Sequence, residues 1–395
     1  MPRLLRLLLA LLPVAAPAFA QRDIGSVEVI VNSKTVPVRV SADSPELNNL
    51  ALQAFSSHGR YRLQASGYAY DIRFTQAGRF QVKVDVSKGG GGGPIASEVA
   101  TGTSERNALF RAADFAVEKT NGMGLKGYFA SKLVFIGKST GSSEVCTSDL
   151  FFGEIRRITS DRADALMPRW SPDGRKVLYT SYVHGFPDIF LIDLATYQRT
   201  TFESFKGTNM SARFSPDGRR VAMVLTGSGS TEVWVSDAQG RGLTRLTRSD
   251  SAKSSPCFSP DGSRLVFAQE PGPQLYVMGS SGGPARRITS SAISTYCAEP
   301  DWSRANSGKI AFTIRVGGRF QIAVYDFSKG ESEQVSKAPF DGVEPSWLPD
   351  GRHLVYTARS ASTNRICILD TETGRSTPVS PASFGAALQA NVCAP

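Results

Sequence analysis

The chain has 395 residues, of which 41% are hydrophobic and 20% charged, and this balance excludes an intrinsically disordered chain. Its length predicts two or three domains, and after the N-terminus no stretch reaches the roughly 20 apolar residues that a membrane-spanning helix needs. The formal net charge of +10 raises nucleic acid as a candidate partner.

The first twenty residues have the pattern of a secretory signal peptide. Arg3 and Arg6 precede an apolar run over residues 7–16, and Ala-Phe-Ala at 18–20 fits a cleavage site. The apolar run is short for an uncleaved membrane anchor. We therefore predict cleavage after residue 20, a periplasmic protein beginning at Gln21, and a mature net charge of +8 once Arg3 and Arg6 are removed. Export and the scattered Lys and Arg residues argue against nucleic acid as a partner.

Residues 21–126 are predicted to form a small α/β domain. The segments 27–31, 36–40, 68–75, 79–86 and 95–100 read as strands. Ser44 and Pro45 fit the N-cap and first turn of a helix with one apolar face, and Gly59 fits its C′ position. A second helix is predicted from Ser104 to Gly122. The glycine run 89–93 reads as a hairpin tip between two strands.

A repeat occupies the rest of the chain. Aromatic residues at 170, 214, 258, 302 and 347 are spaced by 44, 44, 44 and 45 residues. Ser-Pro-Asp-Gly follows three of them and Leu-Pro-Asp-Gly a fourth, which favours a type I turn. An apolar strand follows each turn, then a strand that ends near Asp, then a short strand. Four antiparallel strands in about 44 residues are typical of a β-propeller blade.

The repeat count predicts six blades. The strand at 132–136 lies one repeat before the strand at 176–180, but its blade lacks an innermost strand of its own. Residues 388–395 resemble such a strand without its turn, so we expect them to pair into the first blade and close the ring. The predicted fold is mainly β: a six-bladed β-propeller over 127–395 preceded by a small α/β domain.

Five cysteines remain after signal-peptide removal: Cys146, Cys257, Cys297, Cys367 and Cys393. An exported protein can hold disulfides, but an odd count leaves at least one cysteine without an intrachain partner. The long spacings favour buried thiols over metal binding or redox chemistry.

Two catalytic motif matches have the wrong context. The G-x-S-x-G match at 279–283 lies between two predicted strands, whereas a nucleophile elbow joins a strand to a helix. The G-x-G-x-x-G match at 122–127 follows a helix, the reverse of a dinucleotide site. The three histidines, His58, His184 and His353, fall in different domains or distant blades, which disfavours a three-histidine metal site. We predict no enzyme, no catalytic residue, no metal ligand and no cofactor; a cation in the channel stays open, with no residue assigned.

The order of signal peptide, small α/β domain and six Ser-Pro-Asp-Gly blades resembles the TolB family, the periplasmic component of the Tol–Pal system. The junction Gly-Leu-Lys-Gly-Tyr-Phe at 124–129 resembles the family's G-x-K-G-x-F segment before the propeller. The resemblance covers essentially the whole mature chain. It implies a scaffold that supports outer-membrane integrity and the constriction of dividing cells, and that is a monomer in itself.

The resemblance also implies two partners. A Pal-like peptidoglycan-associated lipoprotein would bind loops entering the innermost strands, which contain Thr208, Asn209, Met210, Ser211, Ser254, Ser255, Glu299 and Glu344. A TolA-like inner-membrane protein would engage the mature N-terminus, formed by Gln21, Arg22, Asp23, Ile24 and Gly25. The family's Glu-Pro pair is kept at Glu299 and Glu344, whereas Ser255 departs from it. The alternative is that these are ordinary solvated loop residues.

Two other functional classes stay open. One is a periplasmic propeller enzyme, either a lyase or a peptidase accessory, or a carbohydrate-binding propeller. The other is a propeller of the same repeat type with a different protein partner.

Overall fold

The computed structural model describes residues 35–138 and 141–395, with the backbone alone at 227 and 228. Residues Val36–Pro395 form one compact unit. It contains one five-stranded sheet with two helices, followed by six four-stranded sheets. The predicted fold class is confirmed. The predicted strand at 27–31 lies outside the described residues.

The α/β part has a mixed sheet in the order β2-β1-β3-β4-β5. Its elements are β1 (Val36–Ala42), α1 (Pro45–Ser57), β2 (Tyr61–Leu63), β3 (Tyr70–Gly78), β4 (Gln81–Lys88), β5 (Ala96–Thr101) and α2 (Glu105–Thr120). β1 runs parallel to β2 and β3, and the β3–β4 and β4–β5 pairs are antiparallel. The glycine run lies between β4 and β5, as the hairpin prediction requires. Of the described helices, neither is long and apolar enough to cross a bilayer.

Both helices begin at the predicted caps. The Ser44 hydroxyl accepts a hydrogen bond from Leu47 N at 3.2 Å, and Ser104 caps α2 through Asn107 N at 3.1 Å. Gly122 has the left-handed backbone expected after α2, with φ of 67°. Gly59 directly follows the C-cap residue His58, at the predicted C′ position, but its backbone is not left-handed. A Cβ on Gly59 would lie 1.8 Å from Asp370 Oδ2, so glycine is needed there for close packing.

The six blades are antiparallel sheets of four strands each. The first contains β6 (Lys132–Gly137), β7 (Glu144–Asp149) and β8 (Arg156–Arg157). The second and third contain β9 (Ala165–Trp170), β10 (Lys176–Ser181), β11 (Asp188–Asp193), β12 (Arg199–Glu203), β13 (Asn209–Phe214), β14 (Arg220–Ser228), β15 (Ser230–Asp237) and β16 (Thr244–Arg245). The fourth contains β17 (Lys253–Phe258), β18 (Arg264–Gln269), β19 (Gln274–Gly279) and β20 (Arg286–Arg287).

The last two blades complete the ring. The fifth contains β21 (Cys297–Trp302), β22 (Lys309–Val316), β23 (Arg319–Asp326) and β24 (Glu331–Gln334). The sixth contains β25 (Asp341–Trp347), β26 (His353–Arg359), β27 (Asn364–Asp370) and β28 (Ser376–Pro378), after which comes a short 3-10 helix, Ala382–Phe384. The C-terminal strand β29 (Ala387–Cys393) pairs antiparallel with β6 as the innermost strand of the first blade. The predicted closure is confirmed.

Each aspartate of the Ser-Pro-Asp-Gly pattern serves its own turn. In the second blade Ser171 Oγ lies 2.5 Å from Asp173 Oδ1, and the same oxygen of Asp173 accepts from Arg175 N at 3.1 Å. The hydrogen bond from Ser171 holds the pKa of Asp173 below its usual range. The third and fourth blades repeat this geometry.

The cysteines are thiols. Cys146, Cys257, Cys297 and Cys367 are buried, and Cys393 is half-buried. Burial raises the pKa of Cys146, Cys297 and Cys367 to about 11 each. These three thiols therefore stay protonated near neutral pH and pack as small apolar groups, as the sequence indicated.

Candidate functional site

The propeller has two distinct ends. The loops that lead into the innermost strands, and the hairpins between the second and third strands of each blade, lie at one end, here called the loop face. The Ser-Pro-Asp-Gly turns lie at the other end, here called the turn face. The α/β part packs on the turn face of the first and sixth blades: Arg106 pairs with Asp149 at 3.1 Å, and Arg375 donates to Ser56 O at 2.6 Å.

A ring of six residues surrounds the channel near the loop face. Each innermost strand has a bulge where one residue takes a left-handed backbone conformation, with φ between 52° and 58°. The first ring consists of Met167, Ser211, Ser255, Glu299, Glu344 and Gln389. A non-glycine residue with positive φ is uncommon, yet it recurs at the same position in every blade. The ring encloses a narrow neck with a cavity of only about 30 Å³.

Side chains of the first ring tie neighbouring blades together. Glu299 Oε2 accepts from Glu344 N at 3.0 Å, and Glu344 Oε2 accepts from Gln389 N at 3.2 Å. Gln389 Oε1 in turn accepts from Met167 N at 2.8 Å. Burial, with the nearby Glu344 carboxylate, raises the pKa of Glu299 to about 7. The first ring thus serves both the channel lining and ring closure.

A second ring lies two residues further along each innermost strand. It consists of Arg169, Arg213, Cys257, Asp301, Ser346 and Asn391. Four of its members accept a hydrogen bond from a backbone N–H of the next blade: Cys257 from Trp302, Asp301 from Trp347, Ser346 from Val392 and Asn391 from Trp170. Arg213 instead donates to Asp301 Oδ1 at 2.6 Å across the channel.

The eight residues predicted for a Pal-like partner lie at the loop face, but only Thr208 is in a loop. The other seven belong to the innermost strands β13, β17, β21 and β25, because the pairing of these strands continues on the loop-face side of each bulge. The structure brings Ser211, Ser255, Glu299 and Glu344 together in the first ring. The remaining four, Thr208, Asn209, Met210 and Ser254, precede the bulges. Their predicted role in partner binding stays a prediction.

Asn209 has a clear structural role. Its side-chain amide donates to Phe205 O at 2.7 Å, and its Oδ1 accepts from Phe205 N at 3.0 Å. Its backbone N–H donates to Pro187 O at 3.0 Å. Asn209 is buried. It therefore holds the loop before β13 against the β10–β11 hairpin, and its side chain has little capacity left for a partner.

Those two segments carry exposed aromatics that the sequence analysis did not single out. Phe186 in the hairpin is 70% exposed, and Phe205 in the loop is 51% exposed. Both lie in the segments that Asn209 joins. Large aromatics in solvent are enriched at protein interfaces. The signal in the sequence was an aromatic between Gly185 and Pro187, in a segment that must be a turn.

Two of the three histidines meet, contrary to what their sequence positions indicated. The rings of His58 and His353 have centroids 4.3 Å apart at the junction of the α/β part with the sixth blade. His353 Nδ1 lies 2.6 Å from Asp350 Oδ2, and its Nε2 accepts from Gly59 N at 3.0 Å. Sequence distance hid this contact because it forms only when the domains dock. His184 lies in the β10–β11 hairpin and takes no part.

The side chains at this junction include potential ligands for a metal ion. His58, Asp350 and His353 offer ligand atoms within 4.8 Å of one another, all buried. Both ring nitrogens of His353 already have partners, and the Arg352 cation lies in the same cluster, bound to Asp370 at 2.7 Å. Burial, together with His353 and Arg352, holds the pKa of His58 well below its usual range. The geometry matches a packed domain junction better than a cation site.

The two catalytic motif matches lie in turns. Residues 279–283 join β19 to β20, and residues 122–127 follow α2. Asn121 organises the second turn by accepting from Met123 N at 2.7 Å and Leu125 N at 3.0 Å. Neither segment has the geometry that its motif requires.

Comparisons with known proteins agree with this architecture. The family described as the TolB beta propeller domain matches residues 120–387. The Tol-Pal system protein TolB of Roseobacter denitrificans is 34% identical over 113 residues, which are 28% of this chain and 25% of that protein. The TolB of Aromatoleum aromaticum is 32% identical over 146 residues, 37% of this chain and 32% of that protein. The matches thus span about a quarter to a third of the length of these relatives.

The fold similarity extends further than the sequence similarity. The crystal structure of TolB from Acinetobacter baumannii superimposes with a TM-score of 0.78 and 21% identity, over 91% of this chain and 96% of that one. At this identity the match shows that the two chains share a fold.

Proposed function

Because the chain belongs to the TolB beta-propeller family, we propose that it is a non-enzymatic periplasmic scaffold of a Tol–Pal-like system. In this proposal the loop face binds a Pal-like lipoprotein, and the assembly supports outer-membrane integrity and constriction during division. The observation that carries the proposal is the pair of exposed aromatics at the loop face, Phe186 and Phe205, whose segments are joined by Asn209.

The architecture suits recognition. Closure by β29 removes the free edges of the propeller sheets, so the loops lie on a fixed frame. The α/β part contacts the turn face, where Arg106 and Arg375 bridge the two parts. A partner at the loop face would meet exposed aromatic rings around a polar mouth, the usual composition of a protein interface.

The second partner would use the N-terminal tail. Residues 21–25 lie outside the described part of the chain, so the assignment of a TolA-like protein to this tail rests on the family alone. Export of the mature chain to the periplasm likewise rests on the signal-peptide pattern and on the family.

Binding of the organism's own Pal-like protein to the mature chain tests the proposal. Isothermal titration calorimetry should show a 1:1 complex, and the double variant Phe186→Ala/Phe205→Ala should weaken it at least ten-fold, because buried aromatics are frequent binding hot spots. Tyr197→Asn is the matched control. Tyr197 is a 54% exposed aromatic of the same blade but lies at the turn face, and its φ of 55° suits asparagine.

Each outcome of this titration is decisive. Equal affinities of the wild type and the double variant would contradict the assignment of the binding site to the loop face. No binding by the folded wild type would contradict the assignment of a Pal-like partner. Loss of binding in the Tyr197 variant alone would place the partner on the turn face.

A further inference from the structure

On one side of the channel the second ring has hydrogen-bond donors in place of acceptors. In four blades the ring residue is a hydrogen-bond acceptor for the next blade. In the second and third blades the corresponding residues are Arg169 and Arg213, and a guanidinium group donates hydrogen bonds but cannot accept them. The interblade acceptor is therefore missing at two adjacent positions.

Two backbone amides are left pointing at the channel as a result. Ser215 N donates to Arg220 O, and Ser259 N donates to Arg264 O, within their antiparallel pairs. Because such pairs alternate, the N–H groups of the preceding residues, Phe214 and Phe258, point away from the pair toward the open edge of the innermost strand. The equivalent N–H of Trp170 is bound by Asn391. Among the described residues, no side chain fills that role for Phe214 or Phe258.

Arg169 is itself incompletely paired. Its Nη1 donates to Pro168 O at 2.9 Å, and no carboxylate within the described ranges lies at ion-pair distance. Arg213 is bound to Asp301. Burial, and the neighbouring Arg213 charge, lower the pKa of Arg169 to about 10, so it stays cationic at neutral pH. A guanidinium without a carboxylate partner and two amides without an acceptor thus lie on the same side of the channel.

These donors open into a chamber. A cavity of about 600 Å³ extends from the second ring toward the turn face and the α/β part. Its size is that of a small-molecule pocket. Cationic side chains from both parts line it, among them Arg304, Arg111 and Lys126. Four acids also line it: Asp301 is paired with Arg213, Asp114 is bound by the N–H groups of Phe129 and Ala130, and Glu98 and Glu118 come from the α/β part.

We propose that this chamber is a binding site for a small oxyanion, either a carboxylate or a phosphate group, held by Arg169 and the N–H groups of Phe214 and Phe258. The site lies beyond the narrow neck from the loop face, and it does not depend on the proposed scaffold role. A planar guanidinium beside oriented amides matches the oxygens of such groups. The remaining acids near the neck are Glu299 and Glu344, whose carboxylates accept hydrogen bonds from neighbouring blades.

The test is calorimetry on the mature chain at pH 7 and constant chloride, with inorganic phosphate and succinate as separate probes. We expect at least one of them to bind saturably at one site per chain, and the probe that binds distinguishes phosphate from carboxylate chemistry. Arg169→Gln should weaken that binding at least ten-fold. Arg219→Gln is the control, because Arg219 is an exposed residue directly after a Ser-Pro-Asp-Gly turn and does not line the chamber.

A second variant acts in the opposite direction. Asp301→Asn removes the competing carboxylate and frees Arg213, while its carbonyl can still accept from Trp347 N. We expect it to bind the same probe several-fold more tightly than the wild type. The proposal is overturned if neither anion binds the wild type, or if Arg169→Gln, folded by circular dichroism, binds as tightly as Arg219→Gln. Should Arg169→Gln not fold, unchanged or weaker binding by Asp301→Asn would overturn it.

Discussion

The two faces of the propeller are built in different ways. At the turn face, charged and aromatic side chains of the sixth blade are buried against the α/β part, and Arg352, His353 and Asp370 are all inaccessible to solvent. At the loop face, Phe186 and Phe205 stay in solvent although they are large and apolar. One face is an internal junction held by the buried Arg352–Asp370 pair, and the other presents unpartnered surface. This contrast assigns stability to the first face and recognition to the second.

The largest loss of stability is expected when the ring of six blades is opened. Deletion of residues 387–395 removes β29 and, with it, two members of the channel rings, Gln389 and Asn391. We expect a loss of at least about 5 kcal/mol in the free energy of unfolding, enough to abolish cooperative folding. Urea unfolding followed by circular dichroism measures it. Deletion of residues 394–395, which lie beyond β29, is the control. A transition unchanged in the longer deletion would show that closure does not hold the ring.

The buried ion pair at the turn face comes next. Asp370 accepts two hydrogen bonds from Arg352, at 3.0 and 2.7 Å. Asp370→Ala leaves a buried arginine without this partner, so we expect a loss of about 3–5 kcal/mol in the free energy of unfolding. Glu372→Ala removes the half-exposed second partner of Arg352 and should cost less than about 1 kcal/mol. Equal effects of the two variants would contradict the distinction between buried and exposed pairs.

Close packing at the junction is a smaller target. Gly59→Ala places a methyl group against Asp370, whose Oδ2 would be 1.8 Å away, so one side of the junction must move. We expect a loss of about 1–3 kcal/mol, measured by thermal unfolding. Gly93→Ala is the control, because a Cβ at Gly93 meets no atom within 4 Å and its backbone is not left-handed. A Gly59 variant as stable as the Gly93 variant would argue against tight docking.

Glu299 of the first ring should make the stability of the protein depend on pH. The pKa of Glu299 is raised to about 7, so the folded protein holds a proton there that the unfolded chain has already released. The resulting stabilisation is present below the ordinary glutamate range and is lost as the pH rises through about 7. Glu299→Gln cannot lose that proton. The free energy of unfolding of this variant, relative to that of the wild type, should therefore rise by on the order of 2 kcal/mol between pH 4.5 and pH 8. This figure is smaller than the full pKa shift would give, because the side chain is partly exposed. A difference that is constant over this range would contradict the raised pKa.

Much of the fold could be predicted because it repeats. The 44-residue spacing fixed the number of blades, and the unmatched strand at 388–395 predicted how the ring closes. The helix caps at Ser44 and Ser104 could also be predicted, because each depends only on residues close by in the sequence. Each of these features is local or periodic.

The features that were missed depend on contacts between distant parts. His58 and His353 meet only after the α/β part docks, and Gly59 is glycine because of Asp370, not because of its own helix. Seven residues predicted to lie in loops belong to strands that contain a bulge. Each bulge contains a left-handed residue, and no turn motif in the sequence indicates it. The join between the segments of Phe186 and Phe205 is likewise a long-range contact, made by Asn209.

The central claim is that the loop face binds the Pal-like partner, and hydrogen–deuterium exchange of the mature chain with and without the organism's own Pal-like protein tests it directly. We predict slower exchange in the β10–β11 hairpin at 182–187 and in the segment 204–211, with no change in the Ser-Pro-Asp-Gly turns at 171–174 and 215–218 of the same two blades. Protection confined to those turns or to the α/β part, with the loop face unchanged in a saturated complex, would contradict the assignment.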